Sequence, residues 1–183
     1  MAATETYFND SALYISFLTE QDEASGEFAM TNLLPHLDYL WAEVHKHIEY
    51  VLSLYMSPTF PKKELAAYFL AKIYYHTEDL ETAAEYILEA GEYFDITKRD
   101  GFVDTMLTKC VERYTSLRKE HYHNPEDLNK ALNPKLETIV NNMFRHSLDT
   151  QKDLKICAGI AIECRRLDIV EEVTNKATNL SSV

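Results

Sequence analysis

Two histidine pairs and three cysteines are the side chains whose chemistry could go beyond packing. His45-Lys46-His47 and His121-Tyr122-His123 each set two imidazoles two residues apart, and neutral imidazole is a zinc ligand. On a helix, residues two apart point in different directions, so His45 and His47 are poorly placed to share an ion. His121 and His123 fall in a polar stretch and could face one ion together. However, no cysteine or acidic cluster at ligand spacing completes a site. Cys157 and Cys164 stand seven residues apart on one helix face, two turns from each other and too far for a disulfide. Together with Cys110 they are expected to be buried, reduced thiols, since an odd number without close pairing suits a reducing compartment. The chain has no phosphate-cradling glycine loop, nucleophile elbow or paired CxxC. The sequence therefore predicts no catalytic residue, no metal and no cofactor.

The remaining constellation is electrostatic. Glu81, Glu85, Glu89 and Glu92 recur at helical spacing with no lysine between them. Like charges one turn apart cost an isolated helix about 0.2–0.5 kcal/mol per pair. Either the face is simply solvated, or it is a docking ridge for a basic partner surface.

The elements that must position these residues are helices. From Lys62 to His76, apolar residues fall on nearly every side (Leu65, Ala66, Phe69, Leu70, Ile73, Tyr74), so this helix must be covered on more than one face. After a short polar turn, Leu80, Ala83, Ala84, Ile87, Leu88, Gly91 and Phe94 form one stripe, with the glutamates opposite. An inner helix followed by an outer one is the stacking unit of α-solenoids. Upstream, a short helix is expected from Ser11 with Asp10 or Ser11 as cap, and another from about Ser25. The stripe Leu34, Leu37, Trp41, Val44, Ile48, Val51, Leu52, Tyr55 is one helix, or two broken near His45 to His47. Trp41 is expected to pack in the core, and the tyrosines to line helix seams with wet hydroxyls.

Downstream, Val103 to Leu117 marks a long amphipathic helix, and residues 119–133 read as a long polar loop. Asn133-Pro134 opens the next helix. Thr150-Gln-Lys-Asp153 has the spacing of a capping box ahead of Leu154, Cys157, Ala158, Ala161 and Cys164, with Gly159 admitting a close helix neighbour. The turn RRLD then leads into Ile169, Val170 and Val173, which repeats the earlier pair with Asp79-Leu80 matched to Asp168-Ile169.

Composition agrees. Four glycines, and five prolines placed where helices could start or stop, favour an all-α fold. At 183 residues the chain is taken as a single helical rod domain of about 8–10 helices, an α-solenoid-like stack of antiparallel pairs. No polar capping helix follows the last pair, so Val183 is expected to be a domain edge in a longer subunit. The net charge of −12 gives no basic stripe for nucleic acid and opposes anionic lipid. Neither a secretory leader nor a run of about 18 apolar residues is evident, so cytoplasm or nucleus is expected.

Several blocks carry a resemblance: EFAMTNLL, LWAEV, SLYMSPTF, AAYFLAKIYYHTEDLETAAEYILEAGEYFDI, FVDTMLTKCVERYT, KLETIVNNMFRHSLD and, most specific, AGIAIECRRLDIVEEV. In this order they resemble the N-terminal helical region of the proteasome/cyclosome-repeat family, non-ATPase scaffold subunits in the base of the 26S proteasome 19S regulatory particle. The resemblance implies a rod-like helical region ahead of a repeat array, and a non-catalytic scaffold acting in ubiquitin-dependent degradation. Its partners would be other regulatory-particle subunits, with no nucleic acid, membrane or small-molecule substrate. The family's docking site for a ubiquitin receptor lies near its C-terminus, outside these residues. Met1 to Asp10 and the polar stretch around His121 to Asn129 depart from the family. The alternative is a free-standing tetratricopeptide-like adaptor for peptides, but His76-Thr77 stand where its turn glycine is expected and no fixed period is found.

Overall fold

A computed structural model describes residues 11–20 and 22–180. The expected cap Asp10 and the expected boundary Val183 lie outside the described residues. Among these there are helices and no strand, so the fold is all-α and solenoid-like, as its composition implied. The chain divides into two compact units, residues 1–95 and 96–183.

The first unit begins with α1, over residues 11–17. Next come α2 (Glu23–Leu33), a 3-10 turn (Leu34–His36), α3 (Leu37–His45), α4 (Ile48–Met56), α5 (Lys63–His76) and α6 (Leu80–Leu88), then a second 3-10 turn (Gly91–Tyr93). Asp22 starts α2 by accepting the Ser25 amide at 3.0 Å, which satisfies one of the orphan donors at a helix start. Pro35 sits in the 3-10 turn, where its missing N–H costs nothing. The stripe left open between one helix and two is therefore broken: tight backbone bonds Lys46→Glu43 and His47→Val44 turn the chain between α3 and α4. Gly26 allows α2 and α4 to meet, since a Cβ there would lie 2.6 Å from Leu54 Cδ1 and 2.9 Å from the Tyr50 hydroxyl.

Helix α5 is the centre of this unit. It packs against α2, α3, α4 and α6, and eight of its fourteen residues are buried. Phe69, Leu70, Ala66 and Ile73 join Met30, Leu33, Leu37, Val44 and Val51 in one core. The all-round apolar pattern thus has its physical cause in packing on several sides. At the outer seam, Tyr74 and Tyr86 stack at 5.6 Å and Tyr55 meets Tyr86 edge-on at 5.3 Å. Burial pushes the Tyr74 and Tyr86 phenols up from their ordinary range, and both residues are half-buried at this seam.

The second unit comprises α7 (Gly101–Glu120), α8 (Pro125–Ala131), α9 (Pro134–Thr150), α10 (Leu154–Glu163) and α11 (Leu167–Leu180). Asp100 caps α7 through the Val103 amide at 2.8 Å, and Asn133 caps α9 through the Lys135 amide at 2.8 Å. Its buried residues include Met106, Cys110, Tyr114, Leu136, Val140, Phe144, Cys157, Ala161 and Cys164.

Three sequence expectations are corrected here. Residues 119–133 are not loop throughout, because α7 runs to Glu120 and Pro125–Ala131 forms α8. Proline at its first position, acids in its first turn and Lys130 in its last suit the helix dipole without any apolar stripe. Thr150 belongs to no capping box: it is the last residue of α9, its hydroxyl donates to the His146 carbonyl, and Asp153 makes no capping bond. Gly159 admits no neighbour, having nothing within 4 Å of its Cβ position.

The two inner–outer pairs share one turn. At the end of α5, the Asp79 amide donates to Tyr74 O and the Glu78 amide to Tyr75 O, with Glu78 left-handed at φ 63°. At the end of α10, the Arg166 amide donates to Ala161 O and the Arg165 amide to Ile162 O, with Arg165 at φ 55°. Both are Schellman motifs with a non-glycine residue in the left-handed position. The matching register is Asp79 with Arg166, two residues off the Asp79–Asp168 match read from sequence. A side chain in that conformation costs about 1–2 kcal/mol, against about 0.5–1 kcal/mol of extra chain entropy for glycine. Glu78→Gly is therefore expected to raise stability by up to about 1 kcal/mol, measured as a shifted urea midpoint.

Candidate docking surface

The glutamate series is split by the end of its helix. Glu81 and Glu85 lie one turn apart on the exposed side of α6, while Ala83, Ala84, Ile87 and Leu88 are buried. Asp79 orients that helix by accepting the Thr82 amide at 3.1 Å. Glu89 is the C-cap, half-exposed, where the helix dipole disfavours an anion. Glu92 is not on the helix at all. Gly91 takes φ 54° and starts the 3-10 turn, so the ridge of four successive helical turns is shortened to Glu81, Glu85 and the cap Glu89. Glu92 instead borders a cleft with Phe60, Pro61, Lys62, Lys63, Glu64 and Tyr93, where two lysines offset the acids. The sequence stripe carried no sign of this break except Gly91 itself.

A second polar cluster in the first unit was missed from sequence. Lys72 is buried on α5 and donates to Asp38 Oδ1 on α3 at 2.8 Å; His76 Nε2 lies 3.0 Å from the same oxygen. The His76 ring stacks on Trp41 at 5.6 Å and 8°, so Trp41 is half-buried beside a polar group instead of sitting in the core. The available signal was Lys72, a lone cation inside an otherwise apolar helix. Partial burial pushes the Asp38 carboxyl up, but the hydrogen bonds from Lys72 and His76 outweigh it and hold the group below the usual carboxylate range. Its folded pKa is thus lower than its unfolded one. The resulting stabilisation is full above about pH 4 and fades as pH falls through the depressed value. Asp38→Asn is expected to lower stability at pH 7 and to differ much less from the parent at pH 3, read from urea midpoints at both.

In the second unit the hub is Arg166. Its Nη1 donates to the Tyr114 hydroxyl at 3.0 Å and to Asn141 Oδ1 at 2.7 Å, while Nε and Nη2 grip Asp168 at 2.8 and 2.6 Å. One guanidinium therefore ties α7, α9 and the start of α11. Those bonds, led by Asp168, push the Arg166 pKa up, and Arg166 in turn holds Asp168 down. Beside it, Arg118 Nε donates to the Cys164 carbonyl at 2.9 Å, and Thr115 Oγ1 lies 3.0 Å from Cys164 Sγ. Sequence reasoning saw RRLD only as a turn.

The other candidates are not brought together into a site. His45 ends α3 and His47 precedes α4. His121 caps α7, and His123 meets the Tyr122 ring edge-on at 5.0 Å. Tyr122 also lies under the Arg165 guanidinium at 3.6 Å. Among the described residues no group of three or more His, Cys, Asp or Glu could hold a metal ion. Cys110, Cys157 and Cys164 are buried, and burial pushes the Cys157 and Cys164 thiols up, away from the reactive thiolate.

Comparison with known proteins bears on these surfaces. Residues 10–183 match the family described as 26S proteasome subunit RPN2, N-terminal domain. The chain is 32% identical to the 26S proteasome non-ATPase regulatory subunit 1 of Dictyostelium discoideum, over 96% of this chain and 17% of that protein. It is 32% identical to the protein of the same name in Drosophila melanogaster, over 91% and 16%. With the 26S proteasome regulatory subunit RPN2 of Saccharomyces cerevisiae it shares 31%, over 88% and 17%. The chain thus spans about one sixth of the length of these relatives.

Proposed function

The chain belongs to the family of the N-terminal domain of 26S proteasome subunit RPN2, and from that membership we propose that it is a non-catalytic scaffold segment of a proteasome regulatory subunit. It acts in ubiquitin-dependent degradation by holding other regulatory-particle subunits in place. The observation that carries this reading is the match across residues 10–183 together with relatives named as regulatory subunits. No described helix is long and apolar enough to cross a membrane, which suits a place in the cytoplasm and nucleus. The adaptor reading is not favoured by the relatives, and the turn after α5 lacks the glycine it needs. Purification of the tagged gene product from its source cells tests the reading: regulatory-particle subunits are expected to co-purify, and their reproducible absence refutes it.

Within that role, Glu81 and Glu85, with the cap Glu89 at the margin, form the face offered to a basic partner surface, and Glu92 lies outside it. Charge complementarity at a rim sets association rate and salt dependence more than fold. Glu81→Lys with Glu85→Lys is expected to weaken subunit association roughly tenfold at low salt and to flatten its salt dependence. Unchanged association in both respects would remove the face from the interface.

A further inference from the structure

The link between α4 and α5, residues 57–62, holds the one proline of the chain that follows a serine or threonine, in Ser57-Pro58. A protein kinase takes its substrate as an extended segment, and the backbone here is already extended. Ser57 has φ −61° and ψ 127°, the region that a following proline imposes. Pro58 and Thr59 are exposed and Ser57 is half-buried. Thr59 is placed differently, because the residue after it is Phe60, which is 2% exposed and belongs to the core.

The Ser57 hydroxyl also works as a latch. It donates to Glu23 Oε1 at the start of α2 at 2.6 Å, and the Thr59 hydroxyl donates to the same oxygen at 2.7 Å. The Thr59 amide in turn donates to Ser57 Oγ at 3.3 Å. The two hydroxyls hold the Glu23 carboxyl below the usual carboxylate range. At neutral pH this carboxylate can therefore only accept, and both hydroxyls must donate to it. Asp22 beside it adds a like charge. The latch ties the link to a helix 34 residues upstream.

We propose that Ser57 is a phosphoacceptor for a proline-directed protein kinase, and that its phosphate opens the latch on Glu23. Ser57 Oγ attacks the γ-phosphorus of ATP, the bond to the bridging oxygen breaks to release ADP, and the hydroxyl proton passes to a carboxylate base of the kinase. The esterified oxygen then has no proton to donate. Its phosphate sets about −1.5 to −2 charges at pH 7 against Glu23 and Asp22. The Thr59 hydroxyl, 2.9 Å from Ser57 Oγ, turns from Glu23 to the phosphate as the stronger acceptor. Both bonds to Glu23 are lost and the link comes away from α2, while Phe60 stays packed in the core.

The test incubates the full chain with a purified proline-directed kinase, magnesium and ATP. Mass spectrometry locates the phosphate, and limited trypsin digestion at Lys62 and Lys63, which follow Pro61 directly, reads the state of the link. Phosphate is expected on Ser57 and is expected to be lost in Ser57→Ala and in Pro58→Ala. The phosphorylated chain should be cut at these lysines at least about fivefold faster than the unmodified chain, since cutting follows local opening. Glu23→Ala, checked for folding by circular dichroism, should open the link without phosphate and speed both the cut and the transfer to Ser57 by roughly threefold or more, because the coupling is reciprocal. No phosphate on Ser57, its retention in Pro58→Ala, or an unchanged rate of cutting after phosphorylation each overturns the proposal. So does a slower cut, because the phosphate then tightens the link instead of opening it.

Discussion

Phe69→Ala is expected to lower the unfolding free energy by about 3–5 kcal/mol, the cost of losing a buried phenyl ring and leaving a cavity. Phe69 has no exposed surface and lies on the helix that four others pack against. With total stability of about 5–15 kcal/mol for a domain, this loss is a large fraction of what holds the fold. Neighbouring helices cannot easily close the gap, because α5 is fixed from several sides and relaxation toward one partner opens space at another. Lys63→Ala on the same helix removes only an exposed side chain and should change stability by less than about 0.5 kcal/mol. Urea denaturation followed by circular dichroism measures both. A Phe69→Ala effect below about 1 kcal/mol would mean that α5 is not the central layer.

The second large effect belongs to Arg166→Ala, expected to cost about 2–3 kcal/mol. The side chain satisfies the hydroxyl of Tyr114, which has no exposed surface, and orphaning a buried polar group costs about 1–3 kcal/mol. The exposed half of the network is worth less: Asp168 is 57% exposed, so Asp168→Ala should cost under about 1 kcal/mol. Tyr114→Phe separates the two effects. In that background Arg166→Ala should lose less than in the parent, because the orphaned hydroxyl is gone. Equal losses in both backgrounds would place the guanidinium's value in packing over Phe144, which lies 5.9 Å from it.

Much of this fold is legible in the sequence because helices declare themselves by apolar spacing. The buried face of α6, the all-round burial of α5 and the Asn133-Pro134 start of α9 follow from that rule. What stayed hidden is set by tertiary partners or by single backbone angles. The break between α3 and α4 was located near His45 to His47 but left open against a single helix, because two tight backbone turns make it without proline or glycine. Helix α8 was concealed by its polarity, since its charge order rather than an apolar stripe marks it. The capping box at Thr150 failed because α9 runs long enough to use that hydroxyl itself. For the proposed docking face, the sequence located Glu81 and Glu85 on one exposed side of α6 but not the left-handed Gly91 that turns Glu92 away. Arg166 was invisible as a hub because its partners, Tyr114 and Asn141, lie 52 and 25 residues away along the chain.

The central claim is that these helices serve as a fixed part of a proteasome regulatory assembly. Density-gradient sedimentation of a gentle lysate, followed by quantitative detection of the gene product and of regulatory-particle subunits across the fractions, tests it most directly. The account predicts that the product peaks with the regulatory particle and is nearly absent from the light fractions. A product sedimenting as a free protein while the particle stays intact in the heavy fractions would contradict it.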